Sequence, residues 1–308
     1  MSEHRGDDPR SGTEGILGVV VVTYSPGETL ASFLDSVGPA YQGPTDIVLA
    51  DNGSTDGSVE EAQHREGVRL LRTGGNLGFG SGANRGAAVV DRSAEFVLIA
   101  NPDVVLHPGS LDVLVAAAHR HPTAGVLGPA ILTPDGVLYP SARRLPTIWL
   151  GAGHAVLGWI WPKNPWTRQY RAENNGVHER AAGWLSGSCL LLRRKAFDQI
   201  DGFDEHYFMY FEDVDLGARM QQHGWENLYV PDAVVTHIGG HAAERQGATM
   251  IAEHHRSAYR YLAGGHPGVW QFPVRAVLRV ALGLRAAIAT RSGRVSGGAK
   301  LDGRRLPS

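Results

Sequence analysis

Apolar positions in the first part of the chain fall in short, nearly unbroken runs. Ile16–Thr23 reads ILGVVVVT, and Asp46–Ala50, Val68–Leu71 and Phe96–Ala100 are shorter runs of the same kind. A strand covered on both faces has no polar side to present, so continuous β-branched runs mark it. Between the runs, Thr29–Val37, Asp56–Arg65, Gly80–Val90 and Ser110–His119 carry apolar residues at helical spacing. This alternation predicts an α/β fold with a mostly parallel sheet flanked by helices. Beyond about residue 125 the regularity changes. Ala181–Leu192, Trp225–Val230 and Val234–His237 read as strands, and Glu212–His223 as a helix ended by Gly224. Trp270–Ile288 reads as an apolar helix interrupted by Arg275, Arg279 and Arg285, and Leu145–Pro162 is apolar with three Trp but broken by Gly and Pro.

The chain has 308 residues, 43% apolar and 19% charged, which is a globular composition with room for one or two domains. A single cysteine, Cys189, excludes an internal disulfide and any CxxC site; in its apolar strand it reads as an inert core thiol. No uninterrupted apolar run reaches 18 residues, so no spanning helix is expected. The net charge of −2 conceals a division. Arg256–Ser308 holds ten Lys/Arg and one acid, Asp302, for +9, which leaves −11 on the residues before it. That split reads either as a basic tail for an anionic surface or as a merely solvated C-terminus. Residues 1–14 are polar with no apolar stretch of a secretory signal, and both they and 292–308 read as disordered.

In an open α/β sheet, ligands sit beyond the carboxyl ends of the strands. The segments there are Thr23-Tyr24-Ser25-Pro26, the stretch from Asp51 and Asn52 to Ser58, the glycine-rich stretch from Gly75 and Asn76 through Gly78 to Asn84 and Gly86, and Asn101-Pro102-Asp103. Asp51, ending a buried strand, suits a nucleobase N–H or a ribose hydroxyl, or else caps the next helix, a role that Ser54 fits better. The small residues from Asn76 to Gly86 permit a ligand close to the backbone, with a helix N-terminus favouring diphosphate. Gly78, Gly80 and Ala83 also spell a weak dinucleotide fingerprint, which leaves a nucleotide-dependent dehydrogenase open. Asp103 suits a divalent cation bridging phosphates, or a turn. Glu212, Asp213 and Asp215 follow four large apolar residues, where paired carboxylates gain the raised pKa of a general base, or simply favour a helix dipole. His237 before Gly239-Gly240 is a metal, phosphate or structural histidine.

Taken in order, VVVTYS, DNGSTDGS, NLGFGSGANRG, NPD, GWLSGSCLLLRR, GFDEHYFMYFEDVDL and THIGG resemble the family 2 inverting glycosyltransferases of the GT-A fold, over residues 16 to 240. The NPD triplet and the F-x-x-F-x-E-D-x-D-L pattern are most similar to the rhamnosyltransferase branch. The resemblance implies a GT-A domain over 15–245 and a helical, membrane-associating extension over 246–291. It implies a dTDP-L-rhamnose donor, a polyprenyl-diphosphate-linked GlcNAc acceptor, and Mg²⁺ or Mn²⁺ as cofactor, in the arabinogalactan-linker step of cell-wall assembly. Residue by residue, it gives Thr23, Tyr24, Asp51, Asn52, Asn76, Gly78, Asn84 and Asn101 to the nucleotide. It gives Asp103 and His237 to the metal, Asp213 to the base, and Trp184, Glu212 and Asp215 to the acceptor side or to support. Asn101 stands where the common Asp-x-Asp motif has its first Asp. A lipid acceptor implies a peripheral place on the cytoplasmic face of the plasma membrane, with Trp270, Phe272, Val277, Leu278 and Leu282 and the three arginines as an interfacial helix on anionic lipid. Leu145–Pro162 is expected to aid that contact, to form a buried hairpin, or to pair two copies in a homodimer. No nucleic acid is implied. Another sugar nucleotide or acceptor, and an inactive sugar-nucleotide or lipid-binding protein, stay open.

Overall fold

The computed structural model describes residues 15–146, 177–239, 247–266 and 268–291. β1 (Leu17–Thr23), β2 (Thr45–Asp51), β3 (Val68–Arg72) and β4 (Phe96–Ala100) form a parallel block in the order β3-β2-β1-β4. α1 (Thr29–Ala40), α2 (Ser58–Ala62) and α3 (Phe79–Val89) connect them. Every residue of β1 is buried. Leu17, Val19 and Val21 pack with α1 and α2, whereas Val20 and Val22 pack with α3. Each such side chain removed from water contributes about 1.5–3 kcal/mol, so a sheet covered on both faces is the stable arrangement of these runs. Gly82 and Gly86 of α3 lie against Asn52, Val22, Val20 and Ala50 with no room for a Cβ; they seat the helix on the sheet.

The second half departs from simple alternation. It runs β5 (Val104–Leu106), α4 (Ser110–Arg120), β6 (Ala124–Leu132), β7 (Leu138–Tyr139), β8 (Ala142–Arg143), β9 (Arg180–Ala182), β10 (Trp184–Leu185), β11 (Cys189–Arg193), α5 (Arg194–Gln199), α6 (Glu212–Gln222) and β12 (Glu226–His237). The sheet continues β4-β11-β6-β12-β5, with β11 antiparallel to both neighbours and β12 parallel to β6 but antiparallel to β5. The predicted strand Ala181–Leu192 is therefore three pieces. It breaks at Gly183 and at Ser186–Ser188, and the middle piece, β10, pairs with β8 in a separate two-stranded sheet. The two strands expected at Trp225–Val230 and Val234–His237 are one, with a register shift between Val230 and Val234 where Pro231 lacks an N–H for the ladder. β6 is unmarked in the sequence because Gly125, Gly128 and Pro129 interrupt it. Both glycines admit neighbouring side chains, Trp225 and Leu185. The second helix starts at Ser58 after Gly57 at φ 81, and Ser54 caps no helix.

After β12 come α7 (Gly247–Gly264), a 3₁₀ turn at Val269–Gln271, and α8 (Phe272–Arg291), which packs beside α7. The apolar stretch predicted to begin as helix at Trp270 thus opens with the 3₁₀ turn. Among the described residues no helix is long and apolar enough to cross a membrane. Val269, Trp270, Phe272, Val277, Val280 and Leu284 are exposed. Leu278 and Leu282, expected on that face, are partly covered instead. The readings of residues 1–14 and 292–308, of Leu145–Pro162 beyond Pro146, and of the boundary at 245 lie outside the described residues.

Candidate active site

The carboxyl ends of β1 and β2 meet where Thr23 pairs with Asp51. Asp51 is 1% exposed. Its Oδ1 accepts from the Thr23 hydroxyl at 3.0 Å and from the Ser54 amide and hydroxyl at 3.0 and 2.5 Å, and its Oδ2 from Arg72 at 3.0 Å. It is the hub of the 51–54 turn, with a lone pair left on Oδ2. Tyr24 next to it is 51% exposed, a ring free at the rim. Asn52 donates to the Gly78 carbonyl at 2.9 Å and accepts from Thr73 at 2.8 Å, tying the β2 turn to the glycine-rich loop. Asn76 Oδ1 accepts the Gly78 amide at 3.2 Å and shapes that loop.

Gly78 has φ 88, and a Cβ there would strike the Phe208 carbonyl; Gly80 likewise gives way to Phe203. The glycines of the apparent dinucleotide fingerprint are thus explained by packing between α3 and the 203–208 segment, which removes the basis for a dehydrogenase. Asn84, expected at the nucleotide pocket, is engaged elsewhere. It donates to the Phe203 carbonyl at 2.9 Å and to Glu205 at 3.2 Å, and accepts the Phe203 amide at 2.9 Å. It is a strut between α3 and the segment before α6.

On the far side of β4, His237 at the end of β12 has Nε2 3.1 Å from Asp103 Oδ1 and 3.5 Å from Asn101 Nδ2. The Ile238 amide also donates to the Asp103 carbonyl at 2.9 Å. The structure therefore brings together the two expected metal ligands and puts Asn101 with them. Among the described residues no group of three or more His, Cys, Asp or Glu converges. One carboxylate and one imidazole fit a divalent ion whose other ligands are phosphate oxygens and water.

The acidic cluster opens α6. Tyr210 and Phe211 ahead of it are both left-handed, with φ 66, and the Asp215 amide donates to the Phe211 carbonyl at 2.8 Å. The three carboxylates then diverge. Asp213 Oδ2 accepts the Gly187 amide at 3.0 Å and Oδ1 its neighbour Val214's at 2.8 Å. Glu212 is 8% exposed and its Oε2 has no hydrogen-bond partner among the described residues. Asp215 holds Arg219 at 2.6 Å, and Arg219 donates to the Ile200 and Gly202 carbonyls at 2.8 and 2.7 Å. Asp215 is therefore a brace for the 200–202 turn. Burial pushes all three carboxyls above the usual range. The Asp213 charge pushes Glu212 further, whereas the Gly187 and Val214 amides and the Arg143 charge draw Asp213 partly back. Asp213 is less covered than Glu212, and both its oxygens accept from backbone amides, so of the adjacent pair it is the carboxylate held in a fixed direction with a raised affinity for a proton. Cys189 is fully buried and its thiol is pushed up to about 12, an inert position.

Trp184 donates from Nε1 to the Arg144 carbonyl at 3.1 Å and lies 5.5 Å from the Arg143 guanidinium, which also covers Tyr139 at 5.4 Å. Arg143, Gly187, Arg72 and Thr73 are not singled out from the sequence, and Ser54, read there as a helix cap, instead holds Asp51. Gly187 had a signal, as the glycine between two serines ahead of an apolar run; a Cβ there would stand 3.3 Å from Asp213 Cβ.

The chain matches the model of the glycosyltransferase like family 2 over residues 14–259. It is 51% identical, over 90% of its length and 94% of the relative's, to the N-acetylglucosaminyl-diphospho-decaprenol L-rhamnosyltransferase of Mycobacterium tuberculosis. It is 26% identical to a rhamnosyltransferase of Escherichia coli K12, over 70% of the chain and 81% of that protein. Among solved structures it is similar in fold to GalNAc-T7 with UDP, GalNAc and Mn²⁺ (TM-score 0.53, 18% identity, 73% of this chain and 43% of that one). S. aureus TarS with UDP-GlcNAc gives a TM-score of 0.52 at 16% identity, over 78% of this chain and 66% of that one.

Proposed function

The chain belongs to the family-2-like glycosyltransferases, and on that premise we propose that it transfers L-rhamnose from dTDP-L-rhamnose to N-acetylglucosaminyl-diphospho-polyprenol. The observation that carries the chemistry is Asp213, fixed by the Gly187 amide and raised toward a base's working range. The 51% identity to the mycobacterial rhamnosyltransferase supports the substrate pair. In the reaction, Asp213 takes the proton of an acceptor hydroxyl as its oxygen attacks the anomeric carbon. The new C–O bond forms on the face opposite the departing dTDP, whose C–O bond to phosphate breaks, and the configuration inverts. A single displacement needs no covalent nucleophile, in keeping with the inert Cys189.

Asp103 and His237, with Asn101 beside them, would hold Mg²⁺ or Mn²⁺; bound there, the ion neutralises charge developing on the leaving diphosphate. Tyr24 offers a ring for the nucleobase, and Asp51 keeps the turn beside it in shape. Residues 15–245 form the transferase unit in this reading, and 246–291 a membrane-facing extension. The exposed Trp270 and Phe272, followed by Val277, Val280 and Leu284 at helical spacing, and the basic tail support a peripheral enzyme on the cytoplasmic face, where a lipid-linked acceptor is within reach. A panel of dTDP-, UDP- and GDP-sugars with lipid-linked GlcNAc, with and without EDTA, tests the proposal. Turnover is expected with dTDP-rhamnose and metal; turnover with another donor alone overturns the substrate assignment.

A further inference from the structure

The segment Tyr207–Phe211, which delivers Asp213, is gripped from two sides. On one side, Gly78 lies against Phe208, and the Phe79 amide donates to the Phe208 carbonyl at 3.2 Å. On the other lies α7. Ser257, 4% exposed, donates its hydroxyl to the Met209 carbonyl at 2.9 Å, directly before the left-handed pair. The His254 ring meets Tyr210 edge-on at 5.4 Å and Phe211 at 5.5 Å, and the Tyr261 ring lies 5.8 Å from Phe211. Arg260 covers Tyr207 at 5.5 Å and is 3.5 Å from Asp204.

Two consecutive non-glycine residues with positive φ persist only where their surroundings over-determine them. Phe211 also sets where α6 begins, through its carbonyl bond to the Asp215 amide, and so where Asp213 points. We propose that α7 is a positioning element of the base, with Ser257 and the rings of His254 and Tyr261 locking the Met209–Phe211 turn so that Asp213 meets the acceptor hydroxyl. This rests on the reading of Asp213 as the base. α7 touches none of the reacting atoms; it acts through backbone geometry. Base catalysis requires hydrogen-bond reach, and a misplacement of about 1 Å costs on the order of a hundredfold in rate.

The test compares His254→Ala, the ring-preserving His254→Phe, and Ser257→Ala in the full chain, measuring kcat, donor KM and dTDP affinity. His254→Ala is expected to lower kcat roughly tenfold to a hundredfold with donor KM and dTDP affinity within about threefold, and Ser257→Ala to lower kcat severalfold. His254→Phe is expected to keep most of kcat. Unchanged kcat in both alanine variants overturns the proposal, as does an equal loss in His254→Ala and His254→Phe, which would make the imidazole itself the working group. If circular dichroism shows His254→Ala unfolded, Ser257→Ala decides alone. An inactive wild-type enzyme with every donor would instead fail the functional reading.

Discussion

The Gly187 amide stands 3.0 Å from Asp213 Oδ2. One residue on, the Ser188 carbonyl accepts the Asn101 amide at 2.9 Å. One turn of chain therefore ties the proposed base to the loop that carries Asp103. A shift of that turn would move Asp213 and Asn101 together.

The pH profile follows from the charges around Asp213. As the proposed base, Asp213 works deprotonated, so kcat/KM is expected to fall as pH drops through its pKa, with burial setting that limb above the ordinary carboxylate range. The Arg143 charge favours the ionised carboxyl. Arg143→Ala should therefore move the acid limb to higher pH while leaving the plateau rate closer to wild type. A limb that stays put, or moves to lower pH, would show that Arg143 does not act on the base.

Asp103 and His237 should act as a pair through the metal. Each alanine variant is expected to weaken Mn²⁺-dependent dTDP binding at least roughly tenfold, and EDTA should bring the wild type to the level of the variants. Isothermal titration with and without metal reads this directly. Equal dTDP affinity in all of these conditions would remove the metal assignment.

Gly78→Ala combines a positive φ with a Cβ driven into the Phe208 carbonyl. A loss of at least about 1–3 kcal/mol in unfolding free energy is expected, accompanied by a fall in kcat because the base segment is displaced. Thermal and denaturant unfolding measure the first and turnover the second. Wild-type stability would mean that the segment yields without strain.

On membranes, Arg279 and Arg285 are expected to contribute about 1 kcal/mol each near anionic lipid, so the double glutamine variant should bind phosphatidylglycerol-containing vesicles about thirtyfold more weakly. Trp270→Ala should weaken binding to neutral vesicles as well. Arg275 is a poorer probe, because it already donates to the His266 and Gly268 carbonyls at 2.6 and 2.8 Å. Unchanged vesicle sedimentation would discard the interfacial role of α8.

The parallel block was legible because Val19–Val22 and Val97–Ile99 are apolar on both faces, a local property of the sequence. β6 was not, since Gly125 and Gly128 serve contacts with residues far along the chain. The same difference runs through the site. Asp103, Asp213 and His237 stand out by residue type and position, whereas the role of Gly187 exists only where its amide meets Asp213. Asn84 invites a ligand reading because it is polar and lies in a glycine-rich loop, while its partners in the fold, Phe203 and Glu205, are more than a hundred positions away and cannot be read locally. The glycines Gly78, Gly80, Gly82 and Gly86 answer to packing as well.

The most direct measurement is of Asp213→Asn beside the wild type, with dTDP-rhamnose and lipid-linked GlcNAc, recording kcat and donor affinity together. General-base catalysis is worth about 10²–10⁴-fold, so turnover should fall by that order while donor affinity stays within about threefold. Turnover near the wild-type rate in Asp213→Asn would contradict the account.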